Sequence, residues 1–349
     1  MIYFDNAAST PLCNAAREIL LQDFANPSSP HALGLESERS IKNAAKDIAS
    51  IISVKSNEII FTSGGTESNN LGILGAAFAL KSAKGAKSIV KIKVGKLEHP
   101  SVIEPIKYLE SLSGFSIVDE NEEADLICQS QVSSETGDII EIKKKPNSIL
   151  FVDGAQAFCK MRPPIGADIY SFSGHKIHGP MGIGGLVIKT GVRIKPQGFG
   201  GGQQRGIRPG TENVSGIVAM TAAAKSFVSL EKCYETTSKI KDIMQTLCNE
   251  IPNTYVNQLT REASPYILSL SFPGLRGETL TNLLSAKGLY VSMGTACQTT
   301  KKDRALSSLF GKERAESAIR LSFSYQNTDD EAYEAKKIIK AAVAELRKN

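Results

Sequence analysis

Apolar residues recur at helical spacing over residues 36–52 and give way to the strand-like run Glu58-Ile59-Ile60-Phe61-Thr62. A Gly-rich turn follows, then a second helical stretch through Leu80. Short apolar strands are predicted at residues 125–129, 149–153, 169–172 and 185–188, with a helix after His99-Pro100. This alternation of strand and helix predicts an α/β domain built on a mostly parallel sheet. From Asn213 one helical stretch is predicted to about Leu230 and a second over residues 239–250. Beyond it the pattern changes: Tyr266-Ile267-Leu268-Ser269-Leu270-Ser271-Phe272 alternates, and 289–293 is a further strand after a helix at 278–287. Thr328-Asp329-Asp330-Glu331 reads as a capping box opening the last helix. The segment between Phe115 and Val132 is short, as if a helix were missing between two strands, with residues 119–123 as a bare connection. The expected division is a large domain over 15–232 and a smaller α+β domain over 1–14 and 233–349.

Composition narrows the function classes. The 349 residues are 41% hydrophobic and 22% charged, the range of an ordinary globular protein. Forty-one basic against 36 acidic residues leave a charge of +5, too weak over this length to argue for direct nucleic-acid binding, and aromatics at 6% without Trp offer no stacking platform. The N-terminus lacks the basic start and apolar run of a signal peptide, and the longest uncharged apolar stretch, 71–80, is too short for a bilayer. A cytoplasmic protein without membrane association is expected. Six scattered cysteines form no C-x-x-C pair, so neither a metal site nor a disulfide framework is indicated.

Three places carry chemistry. Ser173-Gly174-His175-Lys176 follows a predicted strand and precedes a Gly/Pro-rich loop. Most lysines are solvated surface charges, but one held in a Gly-lined pocket loses hydration and shifts toward the amine that builds Schiff bases. Asp153 ends the strand before Gly154-Ala155-Gln156. It reads either as a helix cap or as a carboxylate at the C-terminal end of a parallel strand, placed to pair with a protonated heterocyclic nitrogen. Thr62-Ser63-Gly64-Gly65-Thr66-Glu67-Ser68-Asn69-Asn70 is a strand, a glycine pair and a helix start. Such an N-terminus suits phosphate, with Gly65 permitting close approach, yet it matches neither the lysine-bearing P-loop nor the dinucleotide fingerprint. A small phosphorylated cofactor is favoured over a nucleotide.

In this order the three features resemble the cysteine desulfurase family of fold-type I pyridoxal phosphate (PLP) enzymes, in the class V aminotransferase group. The resemblance covers nearly the whole chain. It also includes Tyr3-Phe4-Asp5-Asn6, Asn26-Pro27-Ser28-Ser29, Glu98-His99, the stretch from Gly200 to Val214, Gly294-Thr295-Ala296-Cys297 and Ile319-Arg320-Leu321-Ser322. It implies that Lys176 carries PLP as a Schiff base, that Asp153 keeps the pyridine nitrogen protonated, and that Gln156 contacts the ring hydroxyl. His99 would stack on the ring and take part in proton transfer. Thr66, Ser173 and His175 would hold the phosphate beside Gly65, with Thr211 supplied by the second subunit of a homodimer. Arg320 would clamp the carboxylate of L-cysteine, assisted by Asn26. Cys297 would be the nucleophile, leaving alanine and a persulfide for a sulfur-acceptor protein, an iron–sulfur scaffold or a tRNA-thiolation protein.

Two departures from the family pattern bear on this. Ser133-Ser134-Glu135-Thr136-Gly137 stands where the family carries Asn-Asn-Glu, so Ser134 replaces an amide that touches cofactor and substrate. The loop after Cys297 is short and lacks the usual small, Ser-rich stretch, which restricts where the thiol reaches. The altered positions leave a selenocysteine lyase, another class V aminotransferase-like enzyme, or a catalytically impaired PLP-binding partner protein as alternatives.

Overall fold

Strand β1 (Ile2–Tyr3) belongs to the smaller of two units, and the chain enters the larger one at Pro11. There α1 (Asn14–Leu20) and α2 (Ala32–Ile52) precede β2 (Ile59–Thr62), α3 (Gly65–Lys84), β3 (Val90–Val94), α4 (Pro100–Ser111) and β4 (Phe115–Ile117). Then come β5 (Leu126–Ser130), β6 (Ile149–Asp153), β7 (Ile169–Ser173), β8 (Gly184–Ile188) and α5 (Val214–Lys225). The structure, a computed structural model, describes residues 1–227, 229–294 and 305–348.

The seven strands lie in the order β2-β8-β7-β6-β5-β3-β4. From β7 to β4 all neighbours are parallel, whereas β8 runs antiparallel to both β7 and β2. The central strands are apolar on both faces because helices cover both. Phe151, Ile169 and Leu186 pack with Ile73 and Ala76 of α3 and Ile106 and Leu109 of α4. Leu150, Val152 and Phe172 pack instead with Ile48 of α2 and Met220 of α5. After β3 the chain steps outward to β4, then returns to β5 on the other side and continues to β7. That reversal opens a crevice at the carboxyl ends of β3 and β5, where sheets of this kind place ligands.

The sequence pattern misses β3 and gives no bounds for β4, the strand before the short connection. Lys91 and Lys93 interrupt the apolar run of β3; Lys91 is exposed, and Lys93 bends away to the carbonyls of Glu120 and Glu122. No helix separates β4 from β5, in line with the short connection read there. The helix expected to run from 213 to 230 stops at Lys225. A new one, α6 (Leu230–Gln245), opens on Ser229, whose hydroxyl accepts the Lys232 N–H, and α7 (Leu247–Glu250) follows.

The smaller unit comprises Met1–Thr10, Val132–Ile140 and Ser229–Asn349. It also holds β9 (Tyr255–Val256), β10 (Ile267–Ser271), α8 (Gly277–Ala286), β11 (Leu289–Tyr290), β12 (Ser292–Met293), α9 (Ala305–Phe310), α10 (Lys312–Glu316), β13 (Ala318–Ser322) and α11 (Asp329–Leu346). Its four-stranded sheet, β12-β13-β10-β9, is antiparallel, and β1 pairs with β11. The single strand expected at 289–293 is thus two short strands in two sheets. The Thr328–Glu331 capping box forms as read. Val132–Ile140, which the sequence division left in the large domain, groups here because the buried Asp138 carboxylate accepts the N–H groups of Leu259 (2.9 Å) and Thr260 (2.8 Å) and the Thr136 and Thr260 hydroxyls.

Candidate functional site

In the larger unit the residues with chemical potential collect at the carboxyl ends of β3, β5, β6 and β7. Asp153 is the last residue of β6 and is buried. Its Oδ1 accepts the Ala155 N–H at 2.9 Å and its Oδ2 accepts the Asn69 side-chain amide at 2.7 Å. A carboxylate has about four lone-pair positions, so both oxygens keep capacity for a further donor. Asn69 lies in the second turn of α3 and also donates to Ser101 Oγ at 2.8 Å. Its Oδ1 accepts the Ser171 hydroxyl of β7 at 2.5 Å. Ser101 Oγ in turn lies 2.8 Å from Nδ1 of His99, the residue that caps α4. Asp153, read from sequence as a lone strand-end acid, is therefore tied to His99 through Asn69 and Ser101, neither of which the sequence reading singled out as functional.

Glu98, beside His99, is buried, and both its oxygens are engaged by Ser130 at the end of β5: the N–H at 2.9 Å and the hydroxyl at 2.5 Å. Burial pushes the Glu98 carboxyl up to about 7, and the neighbouring Asp153 charge adds to the rise against the two hydrogen bonds. No signal of spacing in the sequence marks this residue as an acid that holds its proton near neutrality.

The turn after β7 carries the other group. Gly174–Lys176 form one 3-10 turn, so Lys176 sits just beyond the strand next to Asp153. Burial, with the Lys176 and Lys160 charges, pulls His175 down to about 4 and leaves its imidazole neutral at pH 7. Ser173 closes β7 with its Oγ buried and without a hydrogen-bond partner among the described residues. Gly65 opens α3 beside it: a Cβ there would meet Ser173 Cβ at 3.6 Å and Ala155 Cβ at 3.8 Å. The N-terminus of a 20-residue helix, an orphan hydroxyl and the Asp153 strand end thus converge at one glycine. Thr66, in the first turn of α3, lines with His99 and Ser101 a pocket of about 480 Å³. Gln156 is buried in the turn after β6.

Not every candidate joins this cluster. Thr211 lines a separate pocket of about 320 Å³ with Asn26. The Thr211 loop is fixed to the larger unit by Arg208, which pairs with Glu67 of α3 at 2.9 Å, and by Gln204, whose Oε1 accepts the Phe61 N–H at 2.8 Å. In the smaller unit, Arg320 of β13 is buried; it donates to the Ser134 carbonyl at 3.0 Å and pairs with Asp5 at 3.2 Å. Its Nε is buried without a hydrogen-bond partner among the described residues. Ser134 thus meets Arg320 through its backbone, a contact that any side chain at 134 allows. Cys297 lies outside the described residues.

The aminotransferase class-V family matches residues 2–334. The chain belongs to this family. Among its relatives, a NifS/IcsS protein homolog of Lactobacillus delbrueckii subsp. bulgaricus is 35% identical over 96% of this chain and 95% of its own. The cysteine desulfurase IscS of Dictyoglomus turgidum is 33% identical over 99% of this chain and 95% of its own. The solved structure of a NifS-like protein superposes with a TM-score of 0.86 at 30% identity, covering 98% of this chain and 99% of that one. Enzymes of the class-V aminotransferase family depend on PLP, and the residues present fit that group. The Ser173 hydroxyl, without a hydrogen-bond partner among the described residues, and the α3 N-terminus are donors suited to a phosphate, Asp153 has acceptor capacity for a ring N–H, and Lys176 carries an amine in the turn beyond β7.

Proposed function

We propose that this class-V enzyme is a PLP-dependent cysteine desulfurase, converting L-cysteine to L-alanine and collecting the sulfur as a persulfide on Cys297. One observation carries the reading: Asp153 ends β6 and Lys176 lies in the turn just beyond the neighbouring parallel β7, while Gly65 opens α3 beside Ser173, whose hydroxyl has no hydrogen-bond partner among the described residues. Bound there, PLP supplies the electron sink that weakens bonds at the substrate's α-carbon. Lys176 would hold the cofactor covalently, Asp153 would keep the ring nitrogen protonated, and Gln156 and Ser134 would contact the ring. Thr66, Gly65, Ser173 and His175 would hold the phosphate. His99 would take part in proton handling, and Arg320 and Asn26 would bind the substrate carboxylate.

The working species in this reading is a cytoplasmic homodimer in which Thr211 completes the partner's phosphate site. In support of this, Thr211 lines a pocket other than the one that Thr66 shares with His99. Delivery to an iron–sulfur scaffold is supported by the IscS names of relatives that match the full chain. No single helix among the described residues is long and apolar enough to cross a membrane. The purified protein should carry the absorption of lysine-bound PLP, lost in Lys176→Ala, and should release alanine and sulfide from L-cysteine. Cys297→Ala should abolish sulfide release under a reductant. Bound cofactor without turnover of L-cysteine would reject the desulfurase reading.

A further inference from the structure

Asn69 cannot be placed either way round. A carboxylate only accepts, so the atom 2.7 Å from Asp153 Oδ2 is the amide nitrogen, and the atom 2.5 Å from Ser171 Oγ is the oxygen. The NH2 group has two hydrogens. One goes to Asp153 and the other to Ser101 Oγ at 2.8 Å. Ser101 Oγ therefore receives a proton from Asn69 and turns its own O–H toward its other neighbour, His99 Nδ1, at 2.8 Å. The Ser101 backbone N–H, which has no acceptor character, points at the same nitrogen from 3.1 Å. Two donors on one ring nitrogen leave it only the role of acceptor.

From this chain of bonds we infer that Asn69 and Ser101 are positioning residues that transmit the orientation of Asp153 to His99 and hold its ring in the neutral Nε2–H tautomer. A proton on Nδ1 would have to displace the hydroxyl donor and face an N–H that cannot turn away. Nε2 is then the nitrogen through which the ring acts, and it acts as a hydrogen-bond donor. A neutral imidazole used as a donor instead of a cation is established chemistry, set elsewhere by a helix N-terminus and here by a cap serine. Asp153, Asn69 and Ser101 come from β6, α3 and α4, so the tautomer is fixed by the way three elements pack. The inference deepens the role proposed for His99 and rests on that reading only for what the Nε2–H serves.

The test uses the full chain with 15N-labelled histidine at pH 7. There are four histidines, and His99→Gln assigns its ring signals. In wild type the His99 Nδ1 should give a pyridine-type signal and Nε2 a pyrrole-type one. Ser101→Ala removes one of two donors, and the excess of the Nε2–H form should fall by about 2- to 10-fold, the worth of one hydrogen bond. Asn69→Ala should move it the same way by releasing the serine hydroxyl, and Ser101→Thr should restore the wild-type signals. A predominant Nδ1–H form in wild type overturns the inference, as does an excess unchanged in both alanine variants. Should Asn69→Ala fail to fold, the Ser101 pair decides alone. Loss of desulfurase activity would not alter these signals, and an Nδ1–H result would leave the desulfurase reading standing.

Discussion

Arg320 is a buried cation whose charge is answered only in part by Asp5, an ion pair at 3.2 Å, and by one carbonyl. A guanidinium offers five N–H donors, and the Nε, which has no hydrogen-bond partner among the described residues, leaves capacity for a carboxylate from a substrate. Lysine at this position keeps the charge and loses the planar fork. Arg320→Lys should therefore raise the KM for L-cysteine and lower kcat/KM by about 10- to 100-fold, the worth of one charged hydrogen bond. The absorption of bound cofactor should be unchanged; a kcat/KM within twofold of wild type would remove Arg320 from substrate binding. Arg320 is marked in sequence only by the family resemblance, whereas Asp153 and Lys176 are legible there as candidates because each sits in a short motif whose chemistry is local. Asn69 and Ser101 are not, because their meaning arises only when α3 and α4 pack against β6. Glu98 escapes for the same reason: its retained proton is set by burial and by the Asp153 charge, against the two hydrogen bonds from Ser130, and all of these arise only in the fold.

At the level of elements, α3 shows how closely helix and sheet are fitted around the site. Gly72 faces the sheet, where an added Cβ would lie 2.8 Å from Phe151 Cε2 and 3.2 Å from Ile169 Cγ2. Phe151 is fully buried and cannot swing aside. Alanine would gain about 1 kcal/mol in helix propensity, but overpacking a closed interface costs about 1–3 kcal/mol. Gly72→Ala should thus be destabilising by up to about 2 kcal/mol, read as a lower urea midpoint at constant slope. A raised midpoint would show that α3 has room to move off the sheet. The same fit explains which elements the sequence announces. β5, β6, β7 and β8 are mostly apolar because both faces are covered. β3 is hidden by Lys91 and Lys93, whose long side chains let a half-buried strand carry charge. The end of α5 at Lys225 is legible only once Ser229 is recognised as the cap of a new helix, since the apolar residues carry on toward it without a glycine or proline.

For the whole molecule, His175, His178 and Glu98 shape how stability depends on pH between about 4.5 and 6.5 when no cofactor is bound. His175 and His178 are both pulled down to about 4, chiefly by burial. The unfolded chain therefore takes up their protons first. Their contribution is complete above about pH 6.5 and is lost as the pH falls toward 4. Glu98, raised to about 7, works the other way: the folded chain binds its proton first, so stability declines as the pH rises from about 4.5 to 7. Between pH 4.5 and 6.5 two histidines oppose one glutamate. Their sum is a climb with pH of at most one proton, about 1.4 kcal/mol per unit. Glu98→Gln removes the opposing slope and leaves every other titrating group in place. The variant's stability, from urea midpoints at pH 4.5, 5.5 and 6.5, should rise about twice as steeply as that of wild type. Parallel curves would mean that Glu98 ionises at its ordinary pH inside the fold. Phosphate bound near His175 would oppose its downward shift, so the same titration with cofactor present should flatten the histidine part and leave the Glu98 part unchanged.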